Sequence, residues 1–462
     1  MTMWRPKIGS YQNALYQAIA DEIARGVEEG ALKAGDKLPT HRALADHLGV
    51  TVGTVTRGYA ESEKRGAVTA RVGSGTFISS FSDKNKGFAI LAREQRGKID
   101  FSLNLPVPVN TDEMLQTTLR EVADDVPQLD LVGYQPEKGS LRQRQWASAW
   151  LHSQGTDCAA ENITITCGGQ HAITLALAAT VRPGEHLLCE GLTYPGLSAT
   201  AAQMGIKVTG LPQDEHGLLP EALEESCKAG HFRALYCTPI AQNPTNAKMT
   251  LERQLEIIDI AERYHLWIIE DAVLSYYCED RPSSFYQLNP ELSLQVNSHS
   301  KVLAGGLRVG YLLSPPKLSL QVSAAIRSHC WFTSPLTIEV AQRWVSSEAF
   351  AISQQAVTVE LEKRLEAVSQ ILSGYQFKIL QGSFHVWLQL PEAWRASDFE
   401  ARLSEKGVAV LSAEPFAVGR FAVPQAVRIC ISGPVKFEDV VKGLELIRDE
   451  LDSGLSHHLK VF

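Results

Sequence analysis

The sequence predicts an α/β protein in two parts, a small N-terminal head and a large body. The head, residues 1–79, shows three helical patterns followed by two short strand-like runs with a glycine-rich tip. In the body, residues 99–462, apolar strand-like runs alternate with amphipathic helical stretches, which is typical of a buried and mostly parallel sheet. After about residue 330 the pattern becomes long helix and then short strands, which predicts a smaller α+β subdomain (330–462). The polar segment 80–98 is expected to be a linker.

The composition is that of a globular protein with an uneven charge distribution. The chain has 462 residues, too many for one ordinary domain, and 44% of them are apolar. Residues 1–80 carry ten Lys or Arg and eight Asp or Glu, a net charge of +2, so the total of −8 leaves −10 for the remainder. This balance argues against nucleic-acid contact over the whole surface and confines such contact to the head.

The eight cysteines are scattered and include no C-x-x-C pair. Several lie in apolar runs, so we expect buried free thiols in a reducing compartment. The sequence shows neither a signal-peptide pattern nor an apolar run of membrane-spanning length. We therefore expect a cytoplasmic protein without membrane contact.

In the head, capping residues separate the three predicted helices. The first spans about 11–29, Thr40 is expected to cap the second, Gly49 to end it and Thr51 to cap the third. Three helices and a hairpin predict a winged helix-turn-helix, in which the third helix enters the major groove of DNA. Hydroxyls suit phosphate contacts and arginine can bind guanine, although each residue alone is as well explained as solvated surface. The residues expected to contact DNA are Arg42, Thr51, Thr54, Thr56, Arg57, Gly73, Ser74 and Gly75.

The body alternates predicted strands with predicted helices. The strand-like runs are 163–165, 186–189, 234–236, 267–269 and 294–296. The helical stretches are 170–181, 251–264 and a long helix at 337–373.

Residues suited to binding a phosphate group follow two of these strands. Gly168, Gly169 and Gln170 lie between a strand and a helix, where small residues expose the backbone N–H groups of a helix N-terminus. Ser298 follows another strand, and Arg308 comes shortly after it. An arginine can bind a phosphate with two parallel hydrogen bonds.

Other residues in this part of the chain suit a carbonyl cofactor. Lys301, which follows Ser300, is the candidate for a Schiff base, and Asp271 at the end of a buried strand could keep a ring nitrogen protonated. Tyr194 could stack on the ring, and Asn243 could donate to a phenolic oxygen. Together with the phosphate residues, these are the requirements of pyridoxal phosphate (PLP). Each residue alone has a commoner structural explanation.

The order of these motifs resembles class I and II aminotransferases of fold type I over about residues 100–450. Residues 10–79 resemble GntR-type winged helices, on the segments Gly35–Ala45, Val50–Arg57 and Gly73–Phe77. The combination resembles the MocR group of transcription regulators. The resemblance implies that Arg42 contacts DNA phosphates and that the wing tip enters the minor groove.

The resemblance also implies roles for two further residues. Arg428 would bind the α-carboxylate of a substrate or effector. Tyr134 would reach the phosphate of a neighbouring subunit, which implies a homodimer. Two positions depart from the family: Leu274 stands where a tyrosine is usual, and Asn246 where a glycine is usual. Tyr276 and Tyr277 lie nearby at the wrong spacing.

Three functions remain open from the sequence. The first is a regulator that binds operator DNA and senses PLP or a small amine or amino acid. The second is an active aminotransferase with an accessory DNA-binding head, and Leu274 weakens this reading. The third is a DNA-binding protein whose body is only a dimerisation scaffold. The retained Lys301, Asp271 and Arg308 argue against this third function. We expect the first.

Overall fold

A computed structural model describes residues 4, 15–33, 35–64, 67–71, 75–78, 98–107, 109, 111–419 and 421–458. The predicted linker, apart from residue 98, and the wing residues Gly73 and Ser74 lie outside this described part. Within it, the structure has no helix that is both long and apolar enough to cross a membrane.

The head is a winged helix-turn-helix, which confirms the predicted fold. Thr40 caps the second helix, since its hydroxyl accepts from the Ala43 N–H at 3.3 Å, and Gly49 ends it with a left-handed φ of 64°. The elements are α1 (Leu15–Glu28), α2 (His41–Leu48), α3 (Val52–Lys64), β1 (Val68–Arg71) and β2 (Gly75–Ile78).

The helices and the hairpin of the head share one apolar core. Tyr59 of α3 is buried in it, and its hydroxyl donates to the Pro39 carbonyl at 2.8 Å, which ties α3 to the start of α2. The buried members include Ile19, Ile23, Leu38, Leu44, Val55, Val68 and Ile78.

The body contains a seven-stranded sheet in the order β4-β12-β11-β10-β9-β5-β6. All strands run parallel except β12, so the prediction of a mostly parallel sheet is confirmed. The sequence analysis did not predict β6 or β12. The strands from residue 99 to residue 313 are β3 (Ile99–Asp100), β4 (Ile163–Thr166), β5 (His186–Glu190), β6 (Lys207–Leu211), β7 (Gln213–Asp214), β8 (Gly217–Leu218), β9 (Ala234–Cys237), β10 (Trp267–Asp271), β11 (Ser293–Ser298) and β12 (Gly310–Leu313).

Helices cover the sheet. The helices from residue 111 to residue 371 are α4 (Thr111–Asp124), α5 (Leu141–Ser153), α6 (Gly169–Thr180), α7 (Pro195–Gln203), α8 (Pro220–Ala229), α9 (Leu251–Tyr264), α10 (Phe285–Leu288), α11 (Ser319–His329), α12 (Pro335–Val345) and α13 (Glu348–Ile371), of which α13 packs mainly in the C-terminal subdomain. The expectation of one helix over 337–373 was wrong. The chain leaves α12 at Ser346, and Ser347 starts α13 by accepting from the Phe350 N–H at 3.1 Å.

The C-terminal part forms a smaller, fully antiparallel sheet in the order β13-β14-β17-β16. Its elements are β13 (Phe377–Lys378), β14 (Val386–Gln389), α14 (Ala396–Glu405), β15 (Val408–Ala409), β16 (Leu411–Ser412), β17 (Ala426–Ile429) and α15 (Phe437–His458). The strand β3 pairs with β15, and Phe101 lies in the core of this subdomain. By contrast, α12 packs against β4 of the large sheet. The domain boundaries at 79, 98 and about 330 stay predictions.

The topology places several loops at one edge of the large sheet. Because β4, β5, β9, β10 and β11 are parallel, their carboxyl ends lie at the same edge. The predicted cofactor residues outside the small subdomain lie at these strand ends or in the segments that follow them. This is where open α/β sheets bind ligands.

Candidate cofactor and DNA-binding sites

Lys301 lies at the end of a single 3-10 turn, His299–Lys301, that follows β11. Ser298 caps this turn, because its hydroxyl accepts from the Ser300 N–H at 3.1 Å. The Lys301 Nζ donates to the Asn104 carbonyl. Burial lowers the pKa of Lys301 to about 8. A larger share of this amine is therefore unprotonated near neutral pH, as a nucleophile requires.

Asp271 ends β10 and is buried. Its carboxylate accepts from the Tyr236 hydroxyl at 2.5 Å and from the Val273 N–H at 3.0 Å. Burial raises the pKa of Asp271, whereas these hydrogen bonds and the charge of Lys301 oppose the rise. Tyr236 was not among the residues predicted from the sequence. The signal was a tyrosine inside a buried strand, since a buried hydroxyl usually has a hydrogen-bond partner.

The loop before α6 is shaped around Arg308. Gly168 has a φ of 85°, and a Cβ atom there would lie 2.5 Å from the Arg308 Nη2. Arg308 itself has a left-handed φ of 53°, and its Nη2 donates to the Cys167 carbonyl at 3.1 Å. Glycine at 168 is therefore required both by its backbone conformation and by the close approach of the guanidinium. This places a cation beside the N-terminus of α6, which suits an anion.

Two serines and the first residue of α6 complete this cradle. The Ser298 and Ser300 hydroxyls are 2.8 Å apart, and the Arg308 Nη1 lies 3.5 Å from the Ser300 Oγ. A Cβ on Gly169 would lie 3.4 Å from the Ser298 Cβ, so the start of α6 approaches the segment before Lys301. The structure thus brings together the predicted phosphate-binding residues.

Gln170 and Tyr194 lie on the other side of the α6 N-terminus. The Gln170 amide donates to the Thr200 hydroxyl at 2.7 Å and to the Gly196 carbonyl at 3.1 Å, so it holds α7 against α6. Tyr194 directly precedes α7, and burial together with the negative charge of Asp271 raises its pKa to about 12.

Arg428 of β17 brings a buried cation to the same site. Its Nη1 donates to the Asn243 Oδ1 at 2.7 Å, and its Nη2 donates to the Ser102 carbonyl at 2.6 Å. The guanidinium carbon lies 4.9 Å from the centre of the Phe416 ring. The Arg428 Nε is buried and has no hydrogen-bond partner among the described residues. Because Asn243 accepts with its oxygen, its Nδ2 stays oriented as a donor.

Four of the predicted DNA-contacting residues lie at the cap of α3 or in its first half: Thr51, Thr54, Thr56 and Arg57. Thr51 caps α3 by accepting from the Thr54 N–H at 3.2 Å, and Thr56 donates to the Val52 carbonyl at 3.0 Å. These hydroxyls therefore already form hydrogen bonds within the helix.

Arg42 and Arg57 differ from these threonines. Both side chains are exposed, and within the described residues no hydrogen bond or ion pair occupies either guanidinium. Gly75 opens β2 with a φ of 112°. The remaining predicted wing residues, Gly73 and Ser74, lie outside the described part.

Comparison with known proteins assigns both parts of the chain. The family aminotransferase class I and II matches residues 100–443, and the family of bacterial regulatory proteins named gntR matches residues 15–78. The chain belongs to the class I and II aminotransferase family and carries a gntR-family head. This domain combination is that of the MocR group.

Individual relatives agree with this assignment. The chain is 28% identical over 449 residues to the HTH-type transcriptional regulator YdeF of Bacillus subtilis, and the match covers 97% of each protein. It is 27% identical over 313 residues to the HTH-type pyridoxine biosynthesis transcriptional regulator PdxR of Corynebacterium glutamicum, covering 64% of this chain and 65% of PdxR. The crystal structure of an archaeal alanine:glyoxylate aminotransferase shares the fold with a TM-score of 0.73, at 23% identity, over 80% of this chain and 95% of that one.

At one position that usually carries a tyrosine in this family, this chain has an apolar side chain. Leu274 is buried in an apolar cluster with Phe384. Both neighbouring tyrosines have contacts of their own: Tyr276 stacks on Trp150 with ring centres 6.3 Å apart, and the Tyr277 hydroxyl donates to Gln354.

Asn246, which replaces the usual glycine, has a structural role. It adopts a φ of 58° and is fully buried. Its Nδ2 donates to the His385 carbonyl at 2.5 Å, and its Oδ1 accepts from the Ser383 hydroxyl at 2.6 Å. Asparagine tolerates the left-handed region better than other side chains, and here it also links two segments.

Tyr134 is the predicted site residue that the structure leaves apart from the others. Its side chain is 85% exposed and contacts the rings of Trp331 and Phe332, with centres 6.4 and 6.0 Å away. None of these contacts involves the residues around Lys301.

Proposed function

We propose that the protein is a transcription regulator that binds operator DNA through its head and holds PLP on Lys301 in its body. The proposal depends mainly on one observation. Lys301, Asp271 and the cradle around Gly168 and Arg308 meet at the carboxyl edge of the sheet. A head of the gntR family precedes this site in the same chain.

The residues present fit PLP. Asp271 would keep the pyridine nitrogen protonated, and the Asn243 Nδ2 would donate to the phenolic oxygen. Arg308 and the first N–H groups of α6 would bind the phosphate, and Tyr194 would pack on the ring. Bound PLP would supply a carbonyl carbon that reacts with amines, made more electrophilic by the protonated ring.

We infer that the effector carries an amine, or is PLP itself. The buried Arg428 would bind a carboxylate with two parallel hydrogen bonds, so an amino acid would use both features of the site. The name of the relative PdxR supports an effector related to the cofactor.

We further propose a homodimer, in which Tyr134 reaches the phosphate of the neighbouring subunit. Its large exposed fraction supports this assignment, because most of the side chain is accessible to a second subunit. A dimer would also present two heads to paired DNA half-sites.

An active aminotransferase is the second candidate, and the retained Lys301, Asp271 and Arg428 favour it. Leu274 argues against fast turnover, because it would leave the cofactor without one hydrogen bond that the usual tyrosine supplies, with a net effect of about 1 kcal/mol. Incubation with an amino donor and a 2-oxo acid distinguishes the two. In a regulator, the visible spectrum of bound PLP changes but product does not accumulate. An enzyme forms more than one molecule of product per protein chain.

The test is covalent fixation of the cofactor. The wild-type protein is loaded with PLP, reduced with borohydride and mapped by peptide mass. We expect the label on Lys301 and none in Lys301→Ala, while both proteins bind operator DNA. Lys317→Ala is the control, because Lys317 lies over the ring of Trp267 at the opposite end of β10. Equal labelling of Lys301→Ala and wild type would contradict the assignment.

A further inference from the structure

Two cysteines that are far apart in sequence meet beside the phosphate cradle. Cys167 lies in the loop before α6, and Cys330 follows the last residue of α11. Their sulfur atoms are 3.8 Å apart, although 163 positions separate them in the chain. Cys330 is exposed and Cys167 is half-buried, whereas five of the other six cysteines are buried. In the single chain, this pair is therefore both adjacent and accessible.

We propose that Cys167 and Cys330 form a reversible disulfide when the protein meets a low-molecular-weight disulfide such as glutathione disulfide. One cysteine thiolate attacks the external disulfide, so a mixed disulfide forms and one glutathione thiolate leaves. The second cysteine thiolate then attacks the sulfur of its neighbour, and the second glutathione thiolate leaves. Overall, the two protein thiols are oxidised by two electrons, and two molecules of glutathione are released.

A bound metal ion is the competing explanation, because His171 lies within 4.8 Å of both sulfur atoms. Its imidazole argues against this. The His171 Nδ1 accepts a hydrogen bond from the Cys167 N–H at 3.1 Å, so the neutral ring carries its proton on Nε2. A metal-bound histidine instead usually donates from its second nitrogen. Without His171, two thiols alone leave an incomplete ligand set for zinc.

The cross-link should affect the cradle. A disulfide bond is about 2.0 Å long, so the two sulfur atoms must approach by about 1.8 Å. Cys167 has little freedom to move, because its N–H binds His171 and its carbonyl accepts from Arg308 at 3.1 Å. Any shift of Cys167 moves the anchor of Arg308. We therefore expect oxidation to weaken phosphate binding, a consequence that depends on the proposed PLP site, whereas the cross-link itself does not.

The experiment uses the full-length protein with and without PLP. Each sample is treated with excess glutathione disulfide and mapped by non-reducing peptide mass spectrometry. We expect a peptide linking Cys167 to Cys330 that disappears on reduction, and none in Cys330→Ser. Cys158→Ser is the matched control, because Cys158 is half-buried like Cys167. This variant should keep the cross-link.

A second readout measures the affinity for PLP. The affinity of oxidised wild type for PLP should be lower than that of reduced wild type by about fivefold or more. The affinity of Cys330→Ser for PLP should not change on treatment with glutathione disulfide. Treated wild type without the linked peptide, or zinc that stays bound at one ion per chain through dialysis, would overturn the proposal. A linked peptide with unchanged PLP affinity would overturn its effect on the cradle. If the protein does not bind PLP at all, the peptide map still tests the cross-link.

Discussion

Arg428 provides the most quantitative prediction for effector recognition. Its guanidinium is buried, and the Nη atoms donate to the Asn243 side chain and the Ser102 carbonyl. The Nε–H has no partner among the described residues, and each Nη carries a second N–H, so the guanidinium can still bind a carboxylate with two parallel hydrogen bonds. We consider the substitutions Arg428→Ala and Arg428→Lys. The first removes the cation, and the second keeps the charge but not the planar pair of donors.

The expected magnitude follows from the burial of this charge. With a carboxylate effector bound, Arg428 would be one partner of a buried, hydrogen-bonded ion pair. Truncating one partner of such a pair costs about 2–5 kcal/mol of binding free energy, so Arg428→Ala should weaken the binding of a carboxylate effector by about 30-fold to 5,000-fold. Arg428→Lys should lie between wild type and the alanine variant. The alanine variant also leaves the oxygens of Asn243 and Ser102 without this donor, which lowers the free energy of unfolding by about 1–3 kcal/mol each. A urea titration must therefore confirm folding first.

The assay titrates amino acids into operator-bound, PLP-loaded protein and follows fluorescence anisotropy of the DNA. Arg448→Ala is the control, because Arg448 lies on α15 in a long, partly exposed ion pair with Asp452 at 3.9 Å. Amines without a carboxylate should act equally on wild type and Arg428→Ala. If the variant responds to an amino acid at the wild-type concentration, Arg428 does not bind the effector carboxylate.

Three further predictions concern DNA, the cofactor lysine and the core of the site. Arg57→Ala should cost about 1–3 kcal/mol of operator-binding free energy and relax the sequence preference. Arg42→Ala should instead weaken binding to all DNA sequences alike and reduce the slope of log affinity against log salt concentration by about one. Unchanged gel shifts in both variants would mean that the recognition surface lies elsewhere. Because burial lowers the pKa of Lys301 to about 8, the rate of PLP capture by apoprotein should rise with pH up to about 8 and then level off. A capture rate, measured by stopped-flow absorbance, that keeps rising to about pH 10, the range of an ordinary lysine, would contradict this. Tyr236→Phe removes a donor to the buried Asp271 carboxylate, so the free energy of unfolding in urea should fall by about 1.5–3 kcal/mol at neutral pH, and an unchanged midpoint would show that this hydrogen bond does not stabilise the fold.

Local patterns made most of the fold predictable. The caps at Thr40 and Gly49 act within one helical turn, and the strands of the body are short runs that contain apolar residues, so each is visible in a short stretch of sequence. The break between α12 and α13 was missed, because the apolar period continues across Ser346 and Ser347. The strand β12 was missed because it follows directly on the Arg308 motif.

The site was predictable only where residues follow strands in sequence. Lys301 and Asp271 could be assigned because each directly follows or ends a buried strand. The hydrogen bond between Tyr236 and Asp271 joins neighbouring parallel strands, and their pairing is not encoded in either segment alone. The approach of Cys167 to Cys330 likewise depends on how α11 packs against α6. Such contacts between distant segments carry no periodic pattern.

The central claim is that occupancy of the site around Lys301 changes the affinity of the head for DNA. The most direct test measures operator affinity and the visible absorbance of bound PLP in the same sample during titration with PLP and then with an amino acid. In wild type, we expect operator affinity to change at the same ligand concentrations as the absorbance, by about fivefold or more, whereas Lys301→Ala should bind operator without this response. An absorbance change in wild type with constant operator affinity would contradict the claim.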